Sequence, residues 1–172
     1  SEQYISPNLI SLNKITWNTR SQGQSKASDI TDNSITLYAI KTNTFSQAYG
    51  TIKLDDLGLK SGDSFTCDCK FSSVIRTGQR PAMFIQLFET SDVGGTPVAS
   101  AQKFIEDTNP LTLTIPSNAK YLLILLRADQ TINVTEGAYK IYDISVNKGS
   151  TALPYEPYTG TPTPTNPIAI ED

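Results

Sequence analysis

Apolar residues recur at every second position through most of this chain, and the runs are separated by short clusters of turn-forming residues. That period places alternate side chains on opposite faces of an extended backbone. It predicts strands over Ile35–Ile40, Tyr49–Asp55, Ser64–Val74, Ala82–Glu89, Val98–Phe104, Leu111–Ile115, Tyr121–Ala128 and Ala138–Asn147. Gly58, Ser61-Gly62-Asp63, Thr77-Gly78, Gly94-Gly95, Asn109-Pro110 and Glu136-Gly137 fall between them, where the chain must turn. No stretch carries a helical period and no internal repeat is present. The pattern predicts an all-β protein with two antiparallel sheets, a β-sandwich or jelly roll.

The pattern changes at the C-terminal end. Pro154, Pro157, Pro162, Pro164 and Pro167 interrupt the last stretch, and proline has no amide to give to a ladder. Residues 1–158 are therefore read as one module and residues 159–172 as a Pro- and Thr-rich linker or tail. Tyr155 and Tyr158 offer apolar area and a hydroxyl with which the proline-rich strap that begins at Pro154 docks back onto the domain.

This closing order carries a resemblance. A strand ending in Lys148-Gly149-Ser150 runs into Pro154-Tyr155-Glu156-Pro157-Tyr158 and a Thr-Pro repeat. Upstream, Leu111–Ile115 is followed by Pro116, Ala119-Lys120-Tyr121 and an apolar strand, and the chain opens with Asn8-Leu9-Ile10. These features resemble the jelly-roll carbohydrate-binding modules of tail and baseplate proteins in bacteriophages of Gram-positive hosts. The stretch from Trp17 to Leu57 matches none of that family's motifs. The resemblance implies a non-catalytic virion component acting at the bacterial surface. Its implied partners are a cell-wall polysaccharide or teichoic acid and other phage tail or baseplate proteins. The alternative is a structural virion adaptor that binds a baseplate protein and no sugar. The family also implies a structural calcium with a carboxylate from the last strand, here Asp143, although Glu2 is the one acid near the start of the chain.

Composition narrows the chemistry. The chain has 172 residues, enough for one domain with a substantial core. Its 14 basic residues are scattered singly against 17 acids, so the basic footprint of a nucleic-acid binder is missing. Histidine is absent, which removes the commonest general base and zinc ligand. No apolar run approaches the length of a membrane-spanning helix, and the first residues do not read as a signal peptide. Cys67 and Cys69 lie on one face of a single strand, a poor geometry for a disulfide, and read as small buried hydrophobes.

Candidate ligand-binding residues follow from the face each strand turns outward. If Met83, Ile85 and Leu87 point inward, then Phe84, Gln86 and Phe88 point out, and two rings flanking an amide suit the C–H face and hydroxyls of a sugar. The alternative is a second layer of chain covering both rings. If Leu122, Ile124 and Leu126 point inward, the outward face of their strand carries Tyr121, Leu123, Leu125 and Arg127, and only its two ends are expected to meet a ligand. Arg127 is then a hydrogen-bond fork for an anionic or hydroxyl-rich ligand, or an ordinary surface or loop-anchoring arginine. Arg76 and Arg80 flank Gly78 just before the Phe84 strand and suit a phosphate-bearing wall polymer, or are ordinary solvated turn residues. Trp17 is either a sugar-stacking platform or a plug at one end of the barrel. Tyr38 and Tyr49 are lesser aromatic candidates. Glu89, Asp92, Glu106 and Asp107 are read as solvated turn acids, because nothing pairs them across a cleft as a glycosidase requires.

Overall fold

A computed structural model describes residues 4–19, 25–39, 47–72, 81–127 and 139–160. Ten strands form: β1 (Asn18–Thr19), β2 (Ser25–Ser28), β3 (Ile35–Ala39), β4 (Gln47–Lys53), β5 (Ser64–Phe71), β6 (Ala82–Phe88), β7 (Ala99–Phe104), β8 (Leu111–Thr114), β9 (Tyr121–Arg127) and β10 (Tyr139–Lys148). All eight predicted strands are present. The short β1 and β2 were not foreseen, because two and four residues are too few to show a period. Ile40, Val74, Ala128 and Ala138, the outermost residues of four predicted strands, lie outside the described residues.

Every pairing is antiparallel, in two five-stranded sheets ordered β1-β4-β9-β6-β7 and β2-β3-β10-β5-β8. From β3 onward the chain alternates between the sheets, staying in one only for the β6–β7 hairpin. Its last two strands insert centrally, β9 between β4 and β6 and β10 between β3 and β5. This is the jelly-roll order, and the fold is an all-β sandwich. Among the described residues there is no α-helix, only two short 3-10 turns. One of them, Leu54–Leu57, ends β4 two residues before the predicted Asp55, and Gly58 closes it at φ 69°, a conformation glycine adopts without strain.

The core lies between the sheets. Met83, Ile85 and Leu87 face Ile35, Leu37, Phe65 and Ile141 in one buried cluster with Leu122, Ile124 and Leu126. Cys67 and Cys69 belong to it and are unbridged. Burial pushes the Cys69 thiol up to about 12 and raises Cys67 in the same sense. On the edge strand β7, Lys103 is buried and its Nζ meets Asp68 Oδ1 at 2.6 Å. An inward-pointing charge on an edge strand discourages another chain from pairing there.

The ladder between β10 and β5 breaks at a bulge between Tyr142 and Ser145, where Asp143 has φ 50°. Two buried asparagines repair the break. Ile144 donates its N–H to Asn33 O at 3.0 Å, and its carbonyl accepts the side-chain amides of Asn33 at 2.9 Å and Asn8 at 3.2 Å. Asn8 Oδ1 accepts from the Val146 and Ile10 amides at 3.1 and 3.2 Å. The same two side chains hold the strap. Asn8 Nδ2 reaches Glu156 O at 3.0 Å, and Asn33 Oδ1 accepts from Tyr158 N at 2.9 Å. Further along, Ser6 N donates to Thr159 Oγ1 at 2.8 Å, Lys14 Nζ meets the Tyr158 hydroxyl at 2.5 Å, and Tyr4 bonds Glu156. The strap is thus fastened through Thr159, one residue past the end predicted for the module.

Two outcomes follow for stability. Asn8→Ala strands two buried backbone amides, those of Ile10 and Val146, and frees the Glu156 carbonyl of the strap, so urea unfolding should show a loss on the order of 3 kcal/mol. Asn13→Ala, at an exposed site, should change stability by less than about 0.5 kcal/mol. The thiols give a pH signature. They ionise near 9 when unfolded and stay protonated when folded, so the folded state binds more protons above pH 9. Stability should fall there by up to about 1.4 kcal/mol per pH unit for each thiol, continuing toward pH 12. A Cys67→Ala/Cys69→Ala protein, measured by the same denaturant titrations, should lose that part of the slope.

Candidate functional site

Register decides which side chains share the outer face of the first sheet. Phe84 lies across from Leu125 and Gln102, and Leu125 lies across from Tyr49. Gln86 lies across from Leu123, and Leu123 from Thr51. One row along, Ala82 aligns Phe104 and Arg127. The turn joining β6 to β7 brings Val93 and Gly94 over this face, with Asp92 Oδ1 accepting from Gly94 N at 2.9 Å. The result is a cleft of about 380 Å³ lined by Tyr49, Gln86, Val93, Gly94, Leu123 and Leu125. That volume falls in the range of small-ligand sites, and the lining is mixed, with polar and apolar surface in similar share and the Gln86 amide to fix orientation.

Beside the cleft, Phe84 is half-buried and meets Phe104 edge to face, with ring centroids 6.0 Å apart. The Arg127 guanidinium stands 5.0 Å from the Phe84 ring centre and 5.9 Å from that of Phe104. Cation–π attraction of this kind holds the guanidinium over the rings. Phe84 is therefore a supporting wall rather than a bare platform.

The expected site residues are only partly brought together. Gln86 lines the cleft, with Phe84 and Arg127 beside it. Phe88 does not present an exposed ring: it is 3% exposed, although strand alternation puts it on the outer side of the sheet and outside the main core cluster. The Phe88 ring is thus covered, as the alternative reading held for both phenylalanines, whereas Phe84 is only half-buried. On β9 it is Leu123 and Leu125, from the middle of the outer face and not from its ends, that line the cleft. Trp17 is half-buried against the core and gives its indole N–H to Leu12 O at 3.0 Å. Tyr38 stands on the outer face of the other sheet, away from Gln86. Arg76 and Arg80 lie outside the described residues. Tyr49, a lesser candidate by sequence, is central to the cleft. Val93 and Gly94 had no periodic signal that would mark them.

Among the described residues no three His, Cys, Asp or Glu side chains converge, and Asp143, the carboxylate that the resemblance implies for calcium, faces the Lys70 ammonium at 3.3 Å. Glu2 lies outside the described residues. Asp107 Oδ2 holds the Phe104 amide at 2.9 Å, and with Asp92 it acts as a turn acid. Among the described residues no helix is long and apolar enough to cross a membrane.

No family model matches the chain, and no curated protein matches it in sequence. Solved structures share its fold in outline. The enzymatically active domain of bacteriophage CBA120 tailspike protein 4 is 18% identical over 78% of this chain, with a TM-score of 0.47, and the chain spans 18% of that protein's length. A structure of accessory secretory proteins 1, 2 and 3 from Streptococcus pneumoniae gives 16% identity over 86% of this chain and 99% of the matched one, with a TM-score of 0.49. The CBM22-1 xylan-binding domain of Paenibacillus barcinonensis Xyn10C gives 13% identity over 88% of this chain and 100% of that domain, with a TM-score of 0.43. At identities and TM-scores this low, the fold rests on the strand order itself.

The two phenylalanines of β6 should separate in a stability assay. Phe88→Ala should cost roughly 3 to 5 kcal/mol, as for a fully buried ring, and half-buried Phe84→Ala about half as much. Paired denaturant titrations would check the ranking.

Proposed function

We propose that this chain is a non-catalytic carbohydrate-binding module and that the cleft on the outer face of the first sheet is its saccharide site. One observation carries the reading: the Tyr49 ring and Leu125 share a half-buried apolar wall with the Gln86 amide beside it. A pyranose has an apolar C–H face that stacks on such a wall and hydroxyls that need a fixed donor and acceptor. Tyr49, Gln86, Leu123 and Leu125 sit on paired strands, so little ordering is required on binding.

The role we propose is attachment of a phage tail or baseplate to a cell-wall polysaccharide or teichoic acid of a Gram-positive host. Its support is the resemblance of the closing segment to modules of that kind. Hydroxyls exchange water for protein with small net gain, so one site binds weakly, and repeated display on a symmetric tail supplies avidity.

Pull-down on walls purified from several Gram-positive species, with the protein multimerised, tests this directly. Tyr49→Ala and Gln86→Ala should each weaken retention by about tenfold or more while the unfolding transition stays cooperative. Retention on virion components with no binding to any wall or glycan would instead favour the adaptor role, with the cleft receiving a protein side chain.

A further inference from the structure

A second cleft, of about 290 Å³, opens on the other sheet. Its floor is the bulge of β10, with Lys140, Tyr142 and Asp143; one wall is the loop carrying Asp32, and the other is the strap, with Tyr155 and Pro157. Both walls are fixed. Asp32 Oδ1 accepts from Ser11 Oγ at 2.5 Å, Thr31 and Ser34 close their loop through a 2.9 Å backbone bond, and Asn8 and Asn33 hold the strap on either side of Pro157.

The lining combines two tyrosine rings with two carboxylates. Burial raises the Tyr155 hydroxyl above its ordinary range, and the nearby charges of Asp143 and Asp32 push it the same way. The protein's own ammonium groups already occupy these surfaces. Lys140 Nζ stands 5.9 Å from the Tyr142 ring centre, and Lys70 Nζ lies 3.3 Å from Asp143 Oδ2 on a side chain that is 64% exposed. Exposed lysines held in this way are displaced at small cost. Tyrosine faces beside carboxylates are what an organic ammonium needs, since the rings attract the charge and the apolar groups next to it.

We infer that the cleft between the β10 bulge and the C-terminal strap is a second binding site, for an ammonium-bearing ligand, with Tyr142 and Tyr155 as ring walls and Asp32 and Asp143 as counter-charges. An amino sugar with a free amine and a choline-type headgroup share that chemistry. The site lies on the opposite sheet from the saccharide cleft and stands or falls independently of it. With both clefts filled, a single module would engage two substituents of a wall polymer at once.

NMR titration of the intact chain with glucosamine, choline and neutral N-acetylglucosamine, at matched ionic strength, tests the site. Glucosamine or choline should give saturable shifts at Tyr142, Asp143 and Tyr155, and whichever binds more tightly identifies the source; N-acetylglucosamine should not. Tyr155→Ala should weaken binding by about tenfold. Lys140→Ala should tighten it about threefold by removing the competing ammonium, an effect that a merely structural lysine would not produce. Tyr49→Ala should leave it unchanged. The proposal is overturned if neither cation shifts these residues at tens of millimolar, if the neutral sugar shifts these same residues equally, if Lys140→Ala weakens the shifts, or if Tyr49→Ala abolishes them.

Discussion

The bulge in β10 is the constraint on which the rest of the structure depends. A strand in the middle of a sheet normally spends its amides on its neighbours, and a break there leaves donors and acceptors in a dry interior. Here Ile144 is the break, and the carboxamides of Asn8 and Asn33 are the repair. An amide side chain carries both a donor and an acceptor, so each asparagine serves the strand on one side and another segment on the other. A shorter or one-sided polar group would repair the ladder without recruiting the strap. The N-terminal segment, the loop at residues 31–34 and the strap therefore close together around one defect in a sheet.

Both clefts are consequences of how strands begin and end. The one on the first sheet exists because the β6–β7 turn folds over a face that the jelly roll leaves open, so a sheet position as ordinary as Leu123 becomes 4% exposed. The one on the second sheet exists because the bulge turns Asp143 out of the ladder and the strap rises beside it. In neither case does a loop stand alone: each wall is pinned to a strand by backbone or carboxamide bonds.

This explains what was legible in the sequence. Eight strands and their inward faces could be read because period two is a local property, and Met83, Ile85 and Leu87 sit in the core as their alternation requires. The free, buried state of Cys67 and Cys69 followed from the same rule. Alternation tells which side a residue faces, however, and not what lies over that side. Phe84 and Phe88 have identical pattern positions, yet one is half-buried and the other fully covered. The pairing of Tyr49 with Leu125 joins strands more than seventy residues apart in sequence, and no local pattern encodes it. Asn8 and Asn33 look like ordinary loop residues until β10 is placed between them.

The fastening of the strap also has a mechanical meaning. Tyr4 and Glu156, and Ser6 and Thr159, bring the two ends of the described chain to one spot. A pull applied between residues 4 and 160 would load these contacts before the paired strands. Asn8 and Asn33 come next in line, at the point where peeling would have to expose the defect in β10. The sandwich and the cleft on its first sheet are thus shielded from tension by a fastening that yields first, whereas the second cleft, which has the strap for a wall, opens with it.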